Sequence, residues 1–153
     1  MDRRAIIESH AGERIALIAA SHLRLTGCEL VPADGDIAEA MWNLPAVVLA
    51  HGTESDPLFF YGNRAALGLF EVAAEDFIRM PSRLSAEPLR REERARLLAS
   101  VAQNGFTEDY SGTRVSATGQ RFRIDRATVW NLTDRAGAIH GQAATFDSWI
   151  EVD

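Results

Sequence analysis

The chain has 153 residues, 46% apolar and 25% charged, which is the profile of one globular domain. Its basic residues are all arginine, 16 against 22 carboxylates, and the resulting charge of −6 argues against a nucleic-acid partner or an anionic membrane surface. The lack of lysine excludes Schiff-base and phosphate-loop chemistry, and with Cys28 as the single cysteine an intramolecular disulfide, a four-cysteine zinc site and an iron–sulfur cluster are excluded too. The opening residues, Met1 to Glu8, hold no long apolar stretch, and no run approaches the roughly 18 apolar residues of a spanning helix. The expected location is the cytoplasm.

Residues 2–26 read as one helix, with Ile7, Ala11, Ile15, Ile18, His22 and Leu25 recurring at steps of three and four and Gly27 as the stop. This seam suits either docking on the chain's own domain or a dimer-forming cap. Pro32-Ala33-Asp34-Gly35 is a turn, and Asp36, three residues before Glu39, opens a short helix carrying Ile37, Met41 and Trp42. Ala46 to Ala50 is short, apolar and β-branched, the pattern of a buried strand; after the loop His51–Pro57, Leu58 to Tyr61 reads as its antiparallel neighbour. Asn63 caps a helix over residues 64–70, and a short helical turn spans 74–79.

A longer helix is expected over 87–104, with Pro88 in its first turn and Leu97, Leu98, Val101 and Ala102 as its apolar seam. Its run Arg90-Arg91-Glu92-Glu93-Arg94-Ala95-Arg96 interleaves opposite charges, so it reads as a solvated face and not a nucleic-acid patch. The rest alternates as strands: 106–116, 121–133 and a last one within 138–152, joined by turns at 117–120 and 134–137. In the middle strand Phe122, Ile124, Thr128, Trp130 and Leu132 are expected on one face, interrupted at Arg126. The predicted class is α+β: a five-stranded antiparallel sheet with helices on one side, residues 46–153, preceded by an N-terminal helical cap, residues 1–45.

The order of elements around Phe59-Phe60-Tyr61-Gly62-Asn63-Arg64-Ala65-Ala66-Leu67 resembles a PAS domain, in which the second strand ends in an Asn-x-Ala step into a helix. A closer resemblance is to the MEKHLA family, a PAS-like group. It rests on residues 63–70, on Pro81-Ser82-Arg83-Leu84-Ser85-Ala86-Glu87-Pro88, on Gly105-Phe106-Thr107-Glu108-Asp109-Tyr110-Ser111-Gly112, on Val129-Trp130-Asn131-Leu132 and on Gly141-Gln142-Ala143-Ala144-Thr145-Phe146. The hexapeptide that names the family is not present, nor is a homeodomain or zipper, so the chain looks like a free-standing bacterial-type member. The resemblance implies a sensory or ligand-binding fold and fixes no activity.

Cys28 lies before the first strand, away from the helical segment where flavin-bonding PAS domains carry their cysteine, and the expected long helix has no histidine for haem. Non-covalent flavin, haem through His51 or His140, a small organic ligand and no ligand remain open. Trp130 with Asn131, and Gln142, offer an aromatic wall and amide partners; Tyr61 and Tyr110 offer hydroxyl donors. Arg64 opens a helix just after a strand, beside the cap Asn63, and Arg83 sits in a Pro-bounded loop. Each guanidinium suits a carboxylate or phosphate ligand, or a structural ion pair with Asp109, Glu87 or another carboxylate. The candidate ligand-binding set is Tyr61, Asn63, Arg64, Arg83, Tyr110, Trp130, Asn131 and Gln142, with no catalytic or metal residue assigned.

The first functional reading is a non-catalytic sensor or ligand-binding module acting as a homodimer through its N-terminal helix or through a protein partner. The second is a cone-shaped α+β isomerase or dehydratase, in which His51 or His140 pairs with Asp109 as base and orienting carboxylate. The third is a protein-interaction domain with a filled core.

Overall fold

The computed structural model describes residues 2–89 and 91–153; Met1, Arg90 and the side chains of Arg91 and Arg94 fall outside that description. Two helices, α1 (Arg3–Ala11) and α2 (Arg14–Thr26), stand where the periodicity predicts one. Gly12 ends α1 at φ +58°, a conformation that side-chain-bearing residues rarely adopt, and its N–H closes on the Glu8 carbonyl. The seam continues through the break, with Ile7, Ala11, Ile15, Ile18 and His22 all buried, so spacing alone does not reveal it.

After α3 (Ile37–Asn43), capped by the Asp36 carboxylate at 3.1 Å from Glu39 N, β1 (Val47–His51) and β2 (Phe59–Gly62) pair antiparallel. α4 (Arg64–Phe70) and α5 (Ala74–Phe77) follow, then a 3-10 turn over Ser82–Ser85 and the long helix α6 (Arg91–Asn104). Pro88 lies outside this helix. Ala86 bridges Arg114, and Glu87 N donates to Thr113 O at 2.9 Å, so the residues before Pro88 are extended along β3, as a following proline favours. The helix also turns a different face inward from the one expected: Leu97 and Val101 are half-buried, but Leu98 is 58% exposed and Ala102 is exposed.

β3 (Phe106–Val115), β4 (Arg121–Thr133) and β5 (Ile139–Phe146) make the meander, and β6 (Trp149–Val152) is an additional strand. Asp147 and Ser148 interrupt the ladder, after which β6 pairs with residues 121–124 of β4, beyond the stretch that β5 covers. Among the described residues the sheet therefore has six strands where the sequence predicts five, in the order β2-β1-β5-β4-β3 with β6 on the far end of β4, every pair antiparallel.

Arg126 changes the parity of β4. It sits at φ +56° in a bulge: four residues of β4, Ile124 to Ala127, oppose three of β3, Gly112 to Tyr110. One extra residue flips the alternation. Phe122, Ile124, Ala127 and Val129 thus share one face, and Trp130 and Leu132 turn to the other, which corrects the single face expected from simple alternation. Packing agrees: Phe122 meets Phe70 of α4 at 5.3 Å between ring centroids, and Trp130 Nε1 donates to the Ile18 carbonyl of α2 at 3.2 Å. The N-terminal helices therefore cover one face of the sheet, and α4, α5 and α6 border the other. Among the described residues no helix is long and apolar enough to cross a membrane.

Candidate functional site

Opposite the N-terminal helices, α6 and the 3-10 segment do not close fully on the sheet. They leave a groove of about 390 Å³ whose floor is Leu49, Val129 and Ala144, three residues in register across β1, β4 and β5. Phe59 forms one wall, stacked on Phe77 of α5 at 4.5 Å, and Leu89, Leu97 and Tyr110 form the other. The next row of the sheet carries polar side chains. His51 pairs in register with Gln142, and Gln142 with Asn131, so three neighbouring strands place a histidine and two amides at one end of the groove. Gln142 Nε2 donates to Asn131 Oδ1 at 3.4 Å, and His51 Nδ1 lies 3.0 Å from the Gly52 carbonyl. Toward the far end of the strands, where Arg114 stands opposite Phe122, the groove is bounded by Glu87 and Arg114, while Ser82 and Arg83 border it beside the β1–β2 loop, tied to Pro57 and Asp56. An apolar middle with polar groups at both ends is the usual chemistry of a small-molecule site.

The predicted residues divide by position. Gln142 and Tyr110 line the groove, and Asn131 reaches it through Gln142. Arg83 stands at the rim, 67% exposed, paired at 3.0 Å with Asp56 of the β1–β2 loop and not with Asp109 or Glu87. Arg64 is exposed on the first turn of α4. Trp130 packs under α2, edge-on to His22 at 4.8 Å, on the face away from the groove, because it neighbours the groove residue Val129 on a strand. Tyr61 is fully buried near α1, where burial and the Glu8 carboxylate push its hydroxyl pKa far up and its oxygen has no hydrogen-bond partner among the described residues.

Asn63 is fully buried and holds four segments together. Its Oδ1 accepts from Ala66 N, capping α4, and from Val48 N of β1; its Nδ2 donates to the Met41 carbonyl at 3.0 Å and the Ala46 carbonyl at 2.9 Å. All the strong donor and acceptor capacity of the amide is spent inside the fold.

Sequence reasoning did not single out Arg114 or Ser85. Arg114 lies on β3 between Thr113 and Val115, and nothing local distinguishes it from the other arginines; its burial comes from the bridge between Ala86 and β3. Of the residues weighed for catalysis, His140 bonds Asp134 at 2.8 Å in an exposed hairpin, and that bond lowers the Asp134 carboxyl pKa. Among the described residues no group of three or more His, Cys, Asp and Glu is placed to hold a metal ion.

Comparison with known proteins agrees with this architecture. The MEKHLA domain family matches residues 12–151. The homeobox-leucine zipper protein ATHB-9 of Arabidopsis thaliana is 29% identical over 135 residues, 81% of this chain, which spans only 16% of the length of that plant protein. Among solved structures, the PAS domain of a Colwellia psychrerythraea protein superposes with a TM-score of 0.59 at 12% identity, covering 75% of this chain and 92% of its own. An RNA-binding light-oxygen-voltage receptor reaches 0.61 at 17% identity over 82% of this chain and 37% of the receptor. The light-state dimer of the fungal blue-light photoreceptor Vivid reaches 0.59 at 13% identity over 93% and 94%. At these identities the structures establish the fold. With a family match over nearly its whole length and a PAS-type sheet and helices, this chain belongs to the MEKHLA domain family.

Proposed function

We propose that the chain is a non-catalytic, PAS-like sensory module that binds a small ligand in the groove between α6 and the sheet. The observation that carries this reading is the groove itself, an apolar floor of about 390 Å³ bounded by the His51, Gln142 and Asn131 row at one end and arginine at the other. Two neighbouring amides suit the hydrogen-bonding edge of a planar heterocycle, flavin included. The test is an absorption spectrum of the purified full chain, followed by mass spectrometry of the supernatant after denaturation. A stoichiometric small molecule, or a flavin or haem band, is the supporting result. A clean spectrum with nothing released removes a tightly held ligand and moves the weight to a protein-interaction domain.

Output is proposed to leave by contact, through a homodimer formed by the N-terminal helices or through a protein partner. The buried seam of α1 and α2 is used on the chain's own sheet, so such a dimer would use the outer face, where Leu23 is 40% exposed. Light scattering of the full chain and of L23E checks this: a dimer lost in L23E supports it, and a monomer at every concentration removes it.

A further inference from the structure

Among the described residues, the groove contains one charge that no neighbouring carboxylate balances. Arg83 is neutralised by Asp56, and Glu87 is held by Arg121 through two hydrogen bonds. Arg114 has no carboxylate within 4.0 Å among the described residues. Its Nη1 donates to Ser85 Oγ at 3.1 Å, and its guanidinium carbon lies 5.7 Å from the centre of the Tyr110 ring. Its Nε is sealed from solvent with no acceptor. The Ser85 hydroxyl itself donates to the Ser82 carbonyl at 2.7 Å, so it is fixed as an acceptor and brings no charge. A half-buried guanidinium held by a neutral hydroxyl and an aromatic ring lacks a counter-ion, and a desolvated charge without one is costly.

We propose that the groove receives an amphipathic organic anion, whose carboxylate, sulfonate or phosphate group pairs with Arg114 while its apolar body lies over Leu49, Val129 and Ala144. This rests on the reading of the groove as a ligand site. A guanidinium offers parallel N–H donors to such a head group, and the surrounding apolar floor keeps water from weakening the pair. In a chain of net charge −6 the preference is local to this end of the groove and does not come from the overall field.

The test uses two fluorescent probes with the same aromatic body, 8-anilinonaphthalene-1-sulfonate and the uncharged N-phenyl-1-naphthylamine, titrated against the full chain, R114Q, R114K and R123Q. The anion is expected to bind the unaltered chain about tenfold more tightly than the neutral probe. R114Q brings the anion down to the affinity of the neutral probe and leaves the neutral probe unchanged; R114K, which keeps the charge but loses the fork, falls between. R123Q changes neither probe by more than about twofold, because Arg123 lies outside the groove lining and is an exposed charge paired with Asp125 at 3.6 Å. Equal binding of both probes, indifferent to R114Q, overturns the anion and leaves the groove as a ligand site. Failure of both probes to bind overturns both. The comparison of the two probes on the unaltered chain stands even if an Arg114 variant does not fold.

Discussion

Asn63 shows how much of this fold a single side chain can hold. It caps α4, pairs with β1 and satisfies carbonyls at the end of α3 and the start of β1, with no exposed surface. Asn63→Ala leaves two N–H groups and two carbonyls unsatisfied in the interior, and a loss of about 3 kcal/mol or more is expected in urea unfolding. Asn63→Asp is the sharper case. Aspartate is a good helix cap, but here it removes the donor half of the amide and buries a carboxylate against carbonyl oxygens, so the loss should match or exceed that of the alanine variant. If Asn63→Asp were as stable as the parent, the residue would be only a helix cap. Gly141 is a second fixed point. At φ +146°, a Cβ there would meet the His51 carbonyl oxygen at 2.1 Å, so Gly141→Ala must part β5 from β1. A loss of about 3 kcal/mol is expected, measured the same way, together with weaker probe binding because His51 and Gln142 sit on those two strands. The Asn63 cap is legible in the sequence because an asparagine between a strand and an apolar helical run has few other uses. The backbone approach at Gly141 is not, since it depends on which strand lies beside β5.

At the scale of elements, the N-terminal helices are part of the core and not an appendage. Ile7 and Ile18 are fully buried, and the Ile18 carbonyl accepts the indole N–H of Trp130. Ile18→Ala is expected to cost about 2–5 kcal/mol in chemical unfolding while leaving probe affinity unchanged, because the cap and the groove lie on opposite faces. The apolar periodicity of residues 2–26 shows in the sequence; the break at Gly12 does not, because the seam keeps its phase across it. β4 illustrates the opposite case. Its burial pattern is readable, but the bulge at Arg126 reverses which residues share a face, and only the pairing with β3 reveals this.

The entry to α6 is tied to the sheet by Glu87 and Arg121. The hydrogen bond from Arg121, with its charge, lowers the Glu87 carboxyl pKa. A carboxyl lowered on folding contributes stability above its unfolded pKa and loses it as the pH falls through the lowered folded value. The chain should therefore lose stability on acidification through and below the ordinary glutamate range. The unfolding midpoint of E87Q should be lower at neutral pH and fall less steeply across that window. Parallel pH profiles for the two proteins would contradict a stabilising role for this pair.

At the scale of the whole molecule, one sheet separates two packing problems. The face under α1 and α2 is filled by Trp130, Leu132 and the isoleucine seam; the face under α6 is left partly open. The class, the order of elements and the family resemblance were readable from pattern and motif. Which face is filled was not, because Leu, Val, Ala and Phe line a groove as readily as they pack a core. That is why the sequence groups Trp130 with Asn131 and Gln142, although the strand sends the neighbours Trp130 and Asn131 in opposite directions. The same ambiguity applies to arginine: Arg64 and Arg83 stand out by motif, while Arg114 acquires its place only from packing.

The most direct test of the account is a methyl-resolved NMR titration of the full chain with 8-anilinonaphthalene-1-sulfonate. The methyls of Leu49, Leu97, Val129 and Ala144 report on the groove, and those of Ile7, Ile15 and Ile18 report on the opposite face. Saturable shifts confined to the groove set are expected. Shifts centred on the isoleucines of the cap, or no saturable shifts in the groove, would contradict it.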